Sequence, residues 1–426
     1  MALNPFIEQL ARYVLRHDAG GKPCVRLLGV TRSTKPPAGW CHLWFSTQQP
    51  PVVTRITIID HLDYQGLSSD RQMPFMFTCP LPSQVAHLQP AAVSLVHQPC
   101  QPATTLLQVT CHHPPPGNLH QTLLQVTCHH PSPRNLPPPS STVSCDEQSV
   151  SWVSEVSDVI SELSAVMSEV SAVMSKLCVT RFIFHRAVKG WVPAVCGPAL
   201  YYYHEDFSKR MVEWLEILRA EGIGKVFLYV TDVHPNLEKV LKYYEDDGFL
   251  HLTGYSYPPP YINEPSLRRL WTLVEQYKMF AQENIYFTDC LLRHMHQYRF
   301  IAHYDPDEIP ILPNHHNYTH FLEHMLTRDA EKKLKPAGYK LQWNYFYNDL
   351  NSSSQGVKEV PEYLWALRHT LTPTQPLKPT PGTFKSLFDM DVVRAIYSHS
   401  TLLCKHGGKI NTANLSAKLT RHLYNS

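Results

Sequence analysis

The sequence predicts an α/β fold in which helices cover both faces of a mainly parallel sheet. Between residues 206 and 304, short apolar runs rich in β-branched and aromatic residues alternate with longer amphipathic segments, which indicates strand–helix repeats. The last apolar run, 299–304, is followed directly by the carboxylates of Asp305, Asp307 and Glu308. Because ligands of such sheets bind beyond the carboxyl ends of the strands, this acidic cluster lies where a site is expected.

Each element of this region follows from the spacing of its apolar residues. A helix is predicted over 206–220, because Phe207, Met211 and Trp214 fall on one face at helical spacing. A buried strand is predicted at 225–230, where the residues are almost all apolar or aromatic. The other predicted strands are 249–255 and 299–304, and the other predicted helices are 237–244, 267–282 and 289–297.

A small β-rich region, residues 1–104, is predicted to precede the α/β region. Its strand-like runs are rich in β-branched residues and are separated by Pro and Gly. These predicted strands are 24–30, 52–59 and 92–96.

Residues 105–178 are predicted to be a low-complexity insert. Residues 106–114 recur as 123–131, each followed by a proline-rich spacer. The Cys-His-His cluster in each copy contains good zinc ligands, but duplicated low-complexity sequence is the interpretation we favour. Apolar residues of 153–177 recur at alternating three- and four-residue spacing, so this segment can form a heptad helix that oligomerises the chain. The alternative is a recent sequence expansion or a translated noncoding segment.

Composition and charge limit the class of partner. The chain has 38 basic and 36 acidic residues and a formal net charge of +2, and it carries no basic stripe, so nucleic-acid binding is not expected. Its 11 cysteines include no Cys-x-x-Cys pair, which leaves secretory-pathway disulfides and buried thiols as alternatives. Sequons at Asn317, Asn351 and Asn414 would permit N-glycosylation in that pathway. No apolar run of membrane-spanning length is found in this sequence.

The Asp305-Pro-Asp307 motif is the strongest candidate for chemistry. Clustered carboxylates at the end of a buried strand are costly unless a positive group lies against them. A hard divalent cation that also binds phosphate oxygens would neutralise them. The alternative is a turn whose aspartates cap the next segment. The apolar residues on both sides of the motif favour the metal site, because solvated loops are rarely flanked in this way.

In the order and spacing of its motifs, the chain resembles glycosyltransferase family 92. The resemblance covers roughly 1–104 and 180–405, so that a catalytic domain is expected at 179–405 and a C-terminal tail, shorter than the family's usual close, at 406–426. The segments that carry the resemblance are 74–80, 211–216, 224–229, 240–248, 288–293, Asp305–Glu308, and 385–393 with His399.

This resemblance implies a GT-A-like fold and an inverting glycosyltransferase. It implies transfer of a hexose, galactose in the characterised activity, from UDP-galactose to a glycan or glycoprotein acceptor, with Mn²⁺ as the divalent metal. Asp305 would face the ribose and the water shell of the metal, and Asp307 would ligate the metal. Family members are type II Golgi membrane proteins with a luminal catalytic domain, although this sequence shows no membrane anchor. The alternatives are a non-catalytic relative that binds glycans or a partner, and a different metal-dependent phosphotransfer or hydrolytic enzyme.

An inverting mechanism needs a carboxylate base to deprotonate the acceptor hydroxyl. The sequence does not assign this base. Four carboxylates follow the metal strand as acceptor-side residues would, although each of them is more often a surface group. These candidates are Glu359, Glu362, Asp389 and Asp391.

Three further residues are candidates for the same site. His399 is a candidate third metal ligand, because imidazole suits Mn²⁺, although a lone histidine is more often structural. Asp232, just past the strand at 225–230, is a candidate contact for uridine, and its alternative role is to cap the helix that begins near Pro235. Glu308 is expected to support the aspartates by hydrogen bonds rather than to bind the metal itself.

Overall fold

The structure is a computed structural model, and it describes most of the chain outside the insert. The described residues are 10–17, 23–31, 38–45, 50–62, 73–99, 107–108, 192–257, 263–347, 360–368, 384–404 and 418–423, apart from 89, 275, 296, 313, 335, 362 and 398–399. The heptad segment 153–177 and nearly all of the insert lie outside them.

The N-terminal region consists of two antiparallel sheets, as the β-rich composition of 1–104 predicts. The first sheet has the order β1 (Leu10–His17), β2 (Pro23–Thr31), β6 (Met73–Pro80) and β5 (Ile58–His61). The second has the order β4 (Val52–Arg55), β3 (Trp40–Trp44), β7 (Ala92–Val96) and β8 (Leu107–Gln108).

A shared core joins the two N-terminal sheets. Val25 and Leu27 of β2 pack in one cluster with Leu43 of β3. The disulfide Cys41–Cys79 links β3 to β6 inside this cluster. Successive strand residues point to opposite faces, so Leu28 and Val30 of β2 pack in a different cluster from Val25 and Leu27.

The central sheet has eight strands in the order β11, β10, β9, β12, β15, β14, β18, β13. The pairs among β11, β10, β9 and β12 are parallel, as is β14–β18, and the other three pairs are antiparallel. The predicted mainly parallel sheet is therefore confirmed. Its strands are β9 (Ala194–Leu200), β10 (Lys225–Val230), β11 (Leu250–Gly254), β12 (Phe300–His303), β13 (Glu308–Ile311), β14 (Gly338–Tyr347), β15 (Phe384–Asp389) and β18 (Lys418–Leu423).

β18 lies within the segment 406–426, which the sequence predicted to be a tail. It pairs with β14 on one side and with β13 on the other. Lys418–Leu423 mixes polar and apolar residues without a long apolar run, so there is little local signal for a sheet strand there. The sheet therefore extends beyond the expected domain boundary at 405.

Six α-helices, a short 3₁₀ helix (Ser83–Val85) and a short hairpin complete the described part of the chain. The helices are α1 (Ser208–Ala220), α2 (Pro235–Asp246), α3 (Pro265–Val274), α4 (Gln276–His294), α5 (Tyr318–Glu331) and α6 (Trp365–Arg368). The hairpin consists of β16 (Val393–Tyr397) and β17 (Ser400–Cys404). No helix within these ranges is both long enough and apolar enough to cross a bilayer.

Helices lie on both faces of the central sheet. Phe227 and Tyr229 of β10 share a buried cluster with residues of α4, whereas Val226 and Leu228, which are also fully buried, point to the other face. On that side α1 and α2 contact each other, and α2 contacts β11.

The predicted break between helices 267–282 and 289–297 is wrong, because α4 runs without interruption through it. One side of α4 contacts the central sheet, and Leu28 and Val30 of the N-terminal region join the cluster that it forms. A helix buried on two sides has apolar residues around much of its circumference and so lacks the amphipathic period on which the prediction depended.

Candidate active site

The acidic motif lies at the topological switch point of the parallel strands. From β9 the chain passes to β10 and β11 on one side, and β12 then pairs with β9 on the other side. Because these strands are parallel, their carboxyl ends meet at one edge of the sheet. Sheets of this kind bind ligands where the strand order reverses, here between β9 and β12, and Asp305 comes two positions after the end of β12 at that edge.

The loop from Asp305 to Glu308 is a tight turn held by three hydrogen bonds. Glu308 N donates to Asp305 O at 2.9 Å, and Asp305 N donates to the Glu308 carboxylate at 3.0 Å. Trp214 Nε1 of α1 donates to Glu308 O at 3.0 Å. The motif is thus a turn, but Glu308 rather than an aspartate caps it; the Asp305 side chain lies against Lys385 and His303, and Asp307 lines a crevice beside α1.

Lys385 supplies the positive charge that lies against these acids. Its Nζ is 2.9 Å from Asp305 Oδ2 and 3.3 Å from Glu308 Oε2. The side chains of Lys385 and Glu308 are fully buried. Burial alone would lower the pKa of Lys385, but the carboxylates of Asp305 and Glu308 outweigh it and raise that pKa above its usual range.

A buried histidine anchors the strand that carries the motif. His303 Nδ1 lies 2.8 Å from Cys196 O, and since a carbonyl can only accept, Nδ1 carries the proton. His303 Nε2 is 3.5 Å from Asp305 Oδ1. The disulfide Cys196–Cys290 ties β9 to α4 at the same level. Strand, helix and acidic loop are therefore held together by covalent and polar contacts.

The donor set fits a hard divalent cation. One carboxylate oxygen from each of Asp305, Asp307 and Glu308 lies within 4.8 Å of the others. Three carboxylates against one lysine leave an excess of negative charge, and all the donors are oxygens, which Mg²⁺ and Mn²⁺ prefer. Asp305 and Asp307 are partly exposed, so a bound cation would be reachable from solvent.

The crevice that Asp307 lines lies on the side of α1 and α6. The Arg210 guanidinium stacks over the Trp365 ring at 4.6 Å. Both carboxylate oxygens of Glu213 accept from Ala366 N, at 2.9 and 3.0 Å, and so fix the start of α6 there. The lining residues are Arg210, Glu213, Trp214, Pro306, Asp307, Ile309, Trp365 and Ala366.

Tyrosines follow the carboxyl end of β9. The Tyr202 ring stacks on Phe207 at 4.3 Å. Burial raises the pKa of Tyr202 well above its usual range, and the nearby Tyr201, Asp307 and Asp305 raise it further, so its hydroxyl stays protonated. Tyr201 is exposed, and its ring stacks on that of Tyr202 with centroids 5.9 Å apart. This end of β9 therefore presents one hydroxyl near the acids and one exposed tyrosine.

Asp232 lies at the same edge of the sheet, where it forms an ion pair with the buried Arg268 of α3. Its alternative role as a helix cap is wrong, because His234 caps α2: His234 Nδ1 accepts from Asn236 N at 3.2 Å.

The structure does not bring Asp389 and Asp391 to the acidic cluster. β15 pairs antiparallel with β12 so that Asp389 lies opposite Phe300, at the far end of β12. Asp305 is five positions after Phe300, a rise of roughly 16 Å along an extended chain. The Asp389 carboxylate accepts from Arg299 Nη2 at 3.2 Å and from Asp391 N at 2.9 Å. These two aspartates therefore lie at the opposite edge of the sheet from the acidic turn.

The remaining candidates, Glu359, Glu362 and His399, lie outside the described residues. α6, which begins at Trp365 a few positions after Glu362, borders the crevice beside Asp307.

Sequence reasoning gave no role to Lys385, His303 or Arg210. The signal for Lys385 was present, because it is a charged residue in an otherwise mostly apolar run and charged residues are rarely buried without a partner. No local signal marks His303 or Arg210, whose importance depends on neighbours that are distant in sequence.

Comparison with known proteins agrees with this architecture. The family model described as "Glycosyltransferase family 92" matches residues 193–426, a range that contains all eight strands of the central sheet. "Beta-1,4-galactosyltransferase galt-1" from Caenorhabditis elegans is 26% identical over 130 residues, which are 28% of this chain and 25% of that protein. The match thus spans about a quarter of that curated relative. Because the family model matches more than half of the sequence, the chain belongs to glycosyltransferase family 92.

Proposed function

We propose that this chain is an inverting glycosyltransferase that moves a hexose from a UDP-sugar to a hydroxyl of a glycan acceptor. The hexose that we propose is galactose. The observation that carries the proposal is the acidic turn Asp305–Glu308 at the switch point of the sheet, held against the buried Lys385. Family membership and the similarity to a galactosyltransferase support the same chemistry.

Asp305 and Asp307 would hold the divalent metal, Mn²⁺ in this proposal, and Glu308 would keep their loop in shape. A cation bound there would neutralise the diphosphate of the departing UDP. Lys385 orients the Asp305 carboxylate through its 2.9 Å contact and offsets part of the local negative charge before any ligand binds.

The nucleotide would lie along the carboxyl ends of β9 and β10. The exposed ring of Tyr201 offers a face on which uracil can stack, since aromatic stacking needs only a π-face. Asp232 stands at the end of β10, where its ion pair with Arg268 holds its carboxylate toward this edge. We retain Asp232 as a uridine contact in the proposal.

The acceptor would enter from the side of α6. Trp365 and Arg210 line the crevice beside Asp307, and aromatic side chains provide apolar faces for sugar rings. Of the candidate bases we retain Glu359 and Glu362, because they precede α6. We also retain His399, which lies outside the described residues, as a third metal ligand, on the resemblance of the segment 385–393 and His399 to the family.

The disulfides support a secretory location. Disulfides such as Cys41–Cys79 and Cys196–Cys290 are typical of proteins in oxidising compartments, among them the lumen of the secretory pathway. We propose that the catalytic region works in the Golgi lumen on glycans or glycoproteins, with a membrane anchor as in the family. Oligomerisation through 153–177 stays part of the proposal.

The test is a panel of UDP-sugars and glycan acceptors, assayed with Mn²⁺ and with a chelator. We expect acceptor-dependent release of UDP, fastest with UDP-galactose, and a product whose anomeric configuration by NMR is opposite to that of the donor. Asp391→Asn, at the exposed opposite edge, is the matched control and should keep full activity. Phosphate release that needs no acceptor, or turnover unaffected by the chelator, would contradict the proposal.

A further inference from the structure

Four histidines, none of them part of the acidic turn, cluster at the start of α5. His315 and His316 precede the helix, and His320 and His324 lie one turn apart on it, so the last two share a face. His315 Nε2 is 2.9 Å from His324 Nδ1. The ring centroid of His320 is 5.3 Å from that of His315 and 5.4 Å from that of His316.

The local fold fixes the position of this cluster. Asn317 caps α5 by accepting from His320 N at 3.0 Å, which sets where the helix begins. The Phe321 ring packs edge-on against the His315 ring, with centroids 5.3 Å apart. His315 is thus held from two sides, by Phe321 and by His324, whereas His320 and His324 are exposed.

The four histidines form no ion pair with a carboxylate in the part of the chain that the structure describes. His315 Nδ1 is buried and has no hydrogen-bond partner among the described residues. Burial lowers the pKa of His315, and the neighbouring histidines lower it further, so its ring is neutral at physiological pH. Neutral imidazoles are the form that binds metal.

The nitrogen spacing is close to that of a tetrahedral metal site. Two imidazole nitrogens, each about 2.0–2.1 Å from one tetrahedral Zn²⁺, lie about 3.3 Å apart. His315 Nε2 and His324 Nδ1, at 2.9 Å, need to separate by only a few tenths of an ångström. The third nitrogen is not yet in place: the His320 ring centroid is 5.3 Å from that of His315, and His320, which is exposed and one helical turn from His324, would have to change rotamer to join the pair.

We propose that His315, His320 and His324 form a second metal site, which binds a divalent cation of the zinc type through imidazole nitrogens. A water molecule would complete the tetrahedron. This site differs in chemistry from the acidic turn, whose oxygen donors suit hard cations. The Tyr318 hydroxyl in the first turn of α5 bonds to the Tyr304 hydroxyl next to Asp305, so a cation at the histidines would stabilise the helix that supports the acidic turn.

The experiment is a zinc titration of the full chain by calorimetry, with excess Mg²⁺ present to compete at the oxygen donors. The Cys-His-His repeats of the insert also contain zinc ligands, so variants are compared rather than absolute stoichiometries. His320→Ala/His324→Ala removes two proposed ligands from exposed positions, and the exposed His87→Ala is the matched control. Asp307→Asn separates this site from the acidic turn.

We expect the double variant to lose one zinc equivalent, or to bind it at least about tenfold more weakly, while His87→Ala and Asp307→Asn bind zinc as the original chain does. Zinc should raise the melting temperature of those three proteins by more than that of the double variant. Equal zinc binding and equal thermal shifts in the double variant would overturn the proposal. Loss of the same equivalent in Asp307→Asn would also overturn it, because the ion would then belong to the acidic turn.

Discussion

Asp307→Asn is expected to lower sugar transfer by roughly 100-fold or more while the fold stays intact. The substitution keeps the size of the side chain but removes one carboxylate charge from a partly exposed position. Its effect on stability should be about 0.5 kcal/mol or less, as for other surface substitutions. Initial rates with UDP-galactose give the first quantity, and urea unfolding gives the second.

The matched control for Asp307→Asn is Asp391→Asn, which makes the same chemical change at the opposite edge of the sheet. Asp391 is exposed, and its carboxylate lies 3.9 Å from Arg299 Nε. If both variants transfer sugar at the original rate, the acidic turn is not the donor site. If Asp307→Asn instead unfolds the protein, the carboxylate has a structural role that this account does not give it.

Lys385→Met is expected to destabilise the fold by about 3–5 kcal/mol and to abolish activity with it. The substitution leaves Glu308, which is fully buried, and Asp305 without the cation that lies 3.3 and 2.9 Å from them. An uncompensated buried carboxylate is far more costly than a broken surface ion pair. Denaturant unfolding measures the loss, and Lys242→Met, at an exposed lysine paired with Asp246, should change stability by less than about 1 kcal/mol.

A double substitution distinguishes charge from packing at Lys385. Adding Glu308→Gln to Lys385→Met removes the buried charge, so part of the lost stability should return. A Lys385→Met variant as stable as the original chain would contradict the buried ion pair. A double variant that is simply the sum of the two losses would assign the effect to packing of the lysine stem.

The parts of the fold that the sequence predicted well are those whose signal is local. Strand 225–230 coincides with β10, because its residues are apolar on both faces of a buried parallel strand. The acidic turn was found because the change from apolar to charged residues occurs within a few positions. The helix α4 was divided wrongly because burial on two sides removes its amphipathic period.

The parts that the sequence missed depend on pairing between distant segments. Lys385 meets Asp305 across 80 positions, and only the antiparallel register of β15 against β12 brings them together. The same register carries Asp389 to the far end of β12, although it is only four positions from Lys385 in the chain. Cysteine partners are likewise a property of the fold, since many pairings are open to 11 cysteines.

UDP binding measured by calorimetry with and without Mn²⁺ shows whether the acidic turn binds the pyrophosphate of a nucleotide through a divalent cation. If it does, Mn²⁺ tightens UDP binding about tenfold or more in the original chain, a gain of about 1.4 kcal/mol, and Asp307→Asn loses this gain. UDP affinity that is independent of Mn²⁺, or an equal gain in Asp307→Asn, would contradict this mode of binding.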